Sequence, residues 1–408
     1  MDNEGPPVQS GAAVASACRR GAGNVNEKKC RDMKMNNSQT INLAAPVLRC
    51  LPRLLLAGLL SSVWGASPAR AEHPHAVHYR QSNLVSDIQG LAALTDTNLV
   101  NSWGVSFSGG SPFWISDNGT GKATLYAVTN DAQGMVTVTK QGLEVTIPGE
   151  GNPTGQAFNG TGGFNGDIFI FASEDGTISG WRPALGTVAE VLTNRPTAVY
   201  KGLALATTAY GPVLLAANFA EARVDVYRTN LSLMQFSDHR APAGYAPFNV
   251  QNIDGLIFVT FAKQDARKHD DVAGRGHGLI DVFNPQTGMF HRFATGSDAG
   301  GRLHVLNSPW GVALAPASFG RHEGQLLVGN FGSGTIMSFD AEGRFHGLLL
   351  SENDGPVVID GLWALTFGNG VRAGRTDTLY FTAGPQDESH GLFGSLKPVA
   401  DDDDDDRD

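Results

Sequence analysis

NSWGVSFSGGSPFWISDNGTGKATLY, residues 101–126, holds three strand-like runs in a fixed order. Asn101 precedes Trp103-Gly104 and a first apolar run. A Gly/Pro turn leads to Phe113-Trp-Ile-Ser-Asp-Asn118, and a Gly turn leads to Ala123-Thr-Leu-Tyr126. Short runs of β-branched and aromatic residues bounded by Gly, Pro, Asn and Asp read as strands.

The same order recurs along the chain. The first runs open at Asn152, Lys201, Asn249, Asn307 and Asp360. The second runs end at Glu174, Asn218, Phe261, Asn330 and Ala383, and the third at Trp181, Tyr227, Phe283, Phe339 and Gly394. Runs such as Met135–Thr139 and Glu144–Ile147 supply outer strands. A period of roughly 45–55 residues with about four strands is that of a propeller blade. The fold expected is all-β, a six-bladed β-propeller with about four antiparallel strands per blade. Residues 79–100 are expected to add a strand that closes the ring. A long β-sandwich is the alternative, but it would not need one grammar six times.

The 408 residues include 51 Gly, and 17% of them are charged. Arg49 and Arg53 precede the apolar run Leu54–Leu60, and Ala69-Arg70-Ala71 follows. This is the layout of a Sec signal peptide cleaved after Ala71, with Met33 or Met35 as the expected start. Three segments are therefore expected: an extension and signal peptide over 1–71, the propeller over 72–397, and a disordered acidic tail over 398–408. The cysteines, Cys18, Cys30 and Cys50, all precede the cleavage position, so the mature chain would have no disulfide or thiol nucleophile. The whole chain carries −10 at neutral pH. From residue 72 the charge is −15, because residues 1–71 hold nine Lys/Arg and four Asp/Glu. Such a surface excludes nucleic acid as a partner. A periplasmic or secreted monomer without a membrane anchor is expected.

In a propeller the first strand of each blade lines the channel, and the connection from second to third strand returns to the face where the first strand begins. Asn101, Asn152, Lys201, Asn249, Asn307 and Asp360 should therefore meet the ends of the second strands at one channel mouth. Asn118, Glu174, Asn218 and Asn330 are the candidate ligand-binding residues there. Asn152, Asn249, Asn307 and Asp360 are the candidate metal ligands, since amide and carboxylate oxygens are what calcium takes. Local turn bonding is the competing role for Asn at a strand start.

Blade four differs from the rest. Its second-to-third connection, within VTFAKQDARKHDDVAGRGHGLID (259–281), is long and charged. Long connections inside a compact repeat are more often functional. His269 is the candidate general base, with Asp265, Asp270, Asp271 and Lys263 around it. Surface Lys–Asp pairing is the plain alternative.

NSWGVSF, PFWISDNGTGKATLY, FAKQDARKHDDVAG, NSPWGVALAPASFG, LLVGNFGSGTI, IDGLWALTFGNG, LYFTAGP and HGLFGSL together resemble an uncharacterised family of exported bacterial propeller proteins, over about residues 79–397. Some of its members carry a PEP-type C-terminal anchor, and here a run of aspartates stands instead. The resemblance implies a six-bladed propeller and export, and no activity. A looser likeness to NHL-repeat and gluconolactonase-type propellers implies calcium held by Asn, Asp and Glu at the channel. Two functions are expected from these residues. One is a scaffold binding a small molecule, glycan or protein at the mouth. The other is a calcium-dependent hydrolase or lactonase using His269 and a loop aspartate.

Overall fold

The computed structural model describes residues 78–130, 135–296 and 306–399. The leader-like stretch and the aspartate tail lie outside the described residues.

Six antiparallel sheets follow one another along the chain. Blade one is built on Ser102–Ser106, Phe113–Asp117, Lys122–Asn130 and Val136–Lys140, from channel to rim. Blades two to five repeat this order from Pro153–Phe158, Tyr200–Thr208, Tyr245–Ile253 and Pro309–Leu314. Blade six takes Leu362–Phe367, Leu379–Ala383 and Leu392–Val399 from the end of the chain. Its outer strand is His78–Ser86, paired antiparallel with Leu392–Val399. The ring is thus closed by joining the two ends of the domain, which leaves few strand edges exposed.

Burial follows position in the blade. Strands such as Phe113–Asp117 and Phe169–Ser173 are buried along their whole length, because neighbouring blades cover both faces. The rim strand Val136–Lys140 is largely exposed and reads Val-Thr-Val-Thr-Lys. Apolar clusters fill each space between adjacent blades, for example Ile170, Leu203 and Leu214 between blades two and three.

In blades one, two, three and five the glycine after the strand-opening residue has a steric cause. Adjacent first strands come so close near the axis that a Cβ on Gly104 would lie 2.4 Å from the Thr154 carbonyl oxygen. A Cβ on Gly155 would lie 2.4 Å from the Leu203 amide nitrogen. Only glycine permits that approach.

On the axis, Trp103, Phe219, Phe248, Trp310 and Trp363 form a further cluster. Trp103 and Trp363 stack at 3.6 Å, and Phe331 stacks on the other side of Trp363 at 3.9 Å. The recurring tryptophans are packing residues, and they floor the channel mouth.

Blade four departs from the sequence alignment in one respect. Its channel strand begins at Tyr245, so Asn249 is fifth in the strand rather than first.

Candidate functional site at the channel mouth

Above the aromatic floor, polar side chains from five blades join into one arc. It starts at Glu388, in the second-to-third connection of blade six. The Asn101 amide donates to Glu388 Oε2 at 2.7 Å, and more weakly to Asn118 Oδ1 at 3.3 Å. Asn118 Nδ2 donates to Glu174 Oε2 at 3.0 Å. The Lys201 ammonium binds Glu174 Oε1 and lies 3.3 Å from Asp270 Oδ1. His269 Nδ1 closes the arc, 2.8 Å from Asp270 Oδ1.

Each member is set by local structure. Lys201 is the second residue of its channel strand and is only 2% exposed. Its carbonyl accepts the Trp310 indole N–H at 3.0 Å, and its ammonium lies 5.1 Å from the centre of the Trp103 ring. Burial pulls the Lys201 pKa down, but the charges of Glu174, Asp270 and Glu388 outweigh it and hold the pKa above the ordinary value. Asn101 adopts a left-handed φ of 45°. Its Oδ1 accepts the Trp363 indole N–H at 2.9 Å, which ties the arc to the floor. The blade-four loop is folded around Asp265, whose carboxylate accepts the amides of His269 at 2.9 Å and Asp270 at 3.3 Å. Burial works against ionisation of Asp270, and Lys201 and His269 more than offset it, leaving its pKa lowered.

Glu388 is the member that sequence reasoning missed. It ends a run of three non-glycine residues, Gln386, Asp387 and Glu388, with φ of 57°, 52° and 62°. Left-handed backbone costs roughly 1–2 kcal/mol per residue with a side chain, and such strain clusters at functional sites. The turn is held by Asp360, whose Oδ2 accepts the Gln386 amide at 2.8 Å. Burial raises the Glu388 pKa, and the carboxylates of Glu174 and Asp270 add to the rise. Glycine at position 387 should release strain without touching the arc. Asp387→Gly is expected to add up to about 1 kcal/mol of stability in a denaturant melt. A loss of stability would show that the turn is not strained.

The other candidates sit as follows. Lys263 ends its strand, and its carbonyl accepts the Val272 amide at 2.8 Å. Asp271 is bridged to Gln264, and burial raises its pKa. Asn218 is fully buried and donates to Glu221 at 2.6 Å and Asp225 at 3.0 Å. Asn330 is fully buried and accepts the Asn307 amide at 2.9 Å. These three bonds each join residues of a single blade.

The expected metal ligands are engaged separately. Asn249 donates to the Trp310 carbonyl at 2.9 Å and accepts the Val250 amide at 2.8 Å. Asn307 Oδ1 accepts the Gly274 amide at 2.6 Å, while Asp360 supports the Gln386 turn. The Asn152 carbonyl accepts the Glu174 amide at 3.2 Å. An Asx side chain at a strand start meets backbone amides first. Among the His, Asp and Glu side chains of the described residues, Glu174, His269 and Asp270 bring their ligand atoms within 4.8 Å of one another. These two carboxylates and one imidazole could hold a divalent ion. The imidazole suits a transition ion better than calcium, which takes oxygen ligands.

No family model matches the chain. Uncharacterized protein R648 of Acanthamoeba polyphaga mimivirus is 32% identical over 353 residues, covering 81% of this chain and 82% of that protein. The chain belongs to the family of this mimivirus protein. Uncharacterized protein L690 of the same virus is 31% identical and is covered to 87%. These relatives are viral, and they give no support to the exported bacterial origin that the sequence words imply. Among solved structures, a streptogramin B lyase aligns over 79% of this chain and 98% of its own, at 11% identity and a TM-score of 0.45. A calcium-binding regucalcin from Agrobacterium tumefaciens aligns over 74% and 95%, at 13% identity and a TM-score of 0.42. Likenesses this distant say nothing of activity.

Proposed function

We propose that the protein is a binding propeller whose ligand seat is this arc. The observation that carries the proposal is Lys201, a buried ammonium joined to carboxylates from other blades. Burying charge is costly, and apolar residues would stabilise a channel as well or better. A packing role alone therefore leaves the arc without a purpose. Three carboxylates face one ammonium and two amides there. A small ligand rich in hydroxyls or bearing an amine, such as a glycan unit or polyol, meets that chemistry. The leader-like residues 49–71 extend the proposal to a monomer acting outside the cytoplasm.

A thermal-shift screen of sugars, polyols and amines against wild type and Asn118→Ala/Glu388→Gln is the test. Ligands that raise Tm by several degrees in wild type should fail to do so in the double variant. Equal stabilisation of both proteins would sink the proposal.

A second function has one specific observation behind it, the proximity of Glu174, His269 and Asp270. In a metal-assisted lactonase or esterase the ion would polarise the carbonyl. His269, oriented by Asp270, would move the proton. Turnover of a lactone and ester panel with added divalent ions, lost in His269→Ala, would favour it. Turnover that persists in that variant would count against it.

A further inference from the structure

We infer that Glu174, His269 and Asp270 seat a divalent ion of the manganese–zinc class, which exchanges with the Lys201 ammonium for the same two carboxylates. The inference rests on the mouth being a ligand seat and names a ligand of that seat.

The donors come from two separate parts of the ring. Glu174 follows the buried strand Phe169–Ser173 and is fixed by Asn118. His269 and Asp270 are neighbours in the blade-four loop, with side chains 44% and 53% exposed. Their ligand atoms lie within 4.8 Å of Glu174's, somewhat wider than ion–ligand bonds of about 2.0–2.2 Å require. The half-exposed loop side chains can take up the difference, while Glu174 stays fixed. Two carboxylates and an imidazole leave coordination positions open to solvent or an organic ligand.

Lys201 now neutralises this pair of carboxylates, so an ion must displace it. The ammonium is not stranded when that happens. Glu388 stands on the same arc, where Asn101 keeps its carboxyl in place by a 2.7 Å hydrogen bond. The strained turn at 386–388 thus presents a carboxyl on the arc toward which the displaced Lys201 can turn. This accounts for three carboxylates around a single lysine. It also accounts for a long loop in blade four, which spans 264–277 where blade two turns within 174–176.

The test is calorimetric titration of Mn2+ into the chelator-treated full chain. One ion per chain is expected. His269→Ala, at a half-exposed position, should fold normally and weaken binding at least tenfold. Lys201→Met should tighten binding at least tenfold by removing the competitor. If Lys201→Met does not fold, His269→Ala and Asp270→Asn decide the matter. No Mn2+ binding by wild type would overturn the inference, as would binding that His269→Ala leaves unchanged. So would a site that takes Ca2+ in preference to Mn2+. Organic ligands that still bind a protein unable to take Mn2+ would leave the proposed function standing and remove only the ion.

Discussion

Replacing Trp363 with alanine is expected to lower the unfolding free energy by about 3–5 kcal/mol, the range for truncating a large buried aromatic. The residue is 1% exposed. It stacks on Trp103 at 3.6 Å and Phe331 at 3.9 Å, and meets Trp310 and Phe248 at 5.9 and 5.8 Å. Those partners belong to blades one, five and four, so the cavity would open where the blades meet on the axis. The Trp363 N–H also fixes Asn101, and its loss would loosen the arc from Glu388 to Glu174. Trp363→Phe keeps much of the packing and loses that bond, so it should cost about 1–2 kcal/mol. Denaturant melts check both. A loss below about 1 kcal/mol in Trp363→Ala would mean that the axial cluster does not hold the blades.

The second large effect is expected from Lys201→Met. Taking one partner from a fully buried ion pair costs about 3–5 kcal/mol, because the other charge stays buried and uncompensated. Here the remaining carboxylates differ. Glu174 has a side chain 11% exposed and keeps the penalty, whereas Asp270, at 53%, is relieved by water. The expected loss is therefore about 2–3 kcal/mol. Glu174→Gln on top of Lys201→Met should recover much of it, since the neutral amide can still accept from Asn118. Full additivity in that double-mutant cycle would show that the two groups are not coupled.

The fold was legible because blade chemistry repeats. Trp103-Gly104 and Trp310-Gly311 are the same word for the same reason, an aromatic toward the axis and a glycine where the next channel strand comes close. Tyr245 shows where that reading slips. A blade whose strand starts earlier than its Asn displaces the alignment by several residues, since no glycine marks the position in Tyr245–Ile253.

The site was legible only in part. His269, Asp270, Glu174 and Asn118 follow from the rule that second-to-third connections share a face. Asn101 and Lys201 follow from the strand starts, and a lysine where other blades carry Asn or Asp is itself a signal. Glu388 was hidden because it lies beyond the end of a strand, in a connection whose left-handed backbone only one residue type announces. Of Gln386, Asp387 and Glu388, only the aspartate is of a type enriched at positive φ. Asn249, Asn307 and Asp360 look alike in sequence, yet each meets a different backbone group.

The proposed seat for ligand is the arc around Lys201. The most direct measurement is calorimetric titration of the strongest-binding small molecule from the screen into wild type, Asn118→Ala, Glu388→Gln and Gln286→Ala. Gln286 lies in a third-to-fourth strand connection, on the opposite face of blade four, and serves as the control. Binding should weaken at least tenfold in the first two variants and stay unchanged in the third. Unchanged affinity in both mouth variants, or a loss confined to Gln286→Ala, would contradict the account.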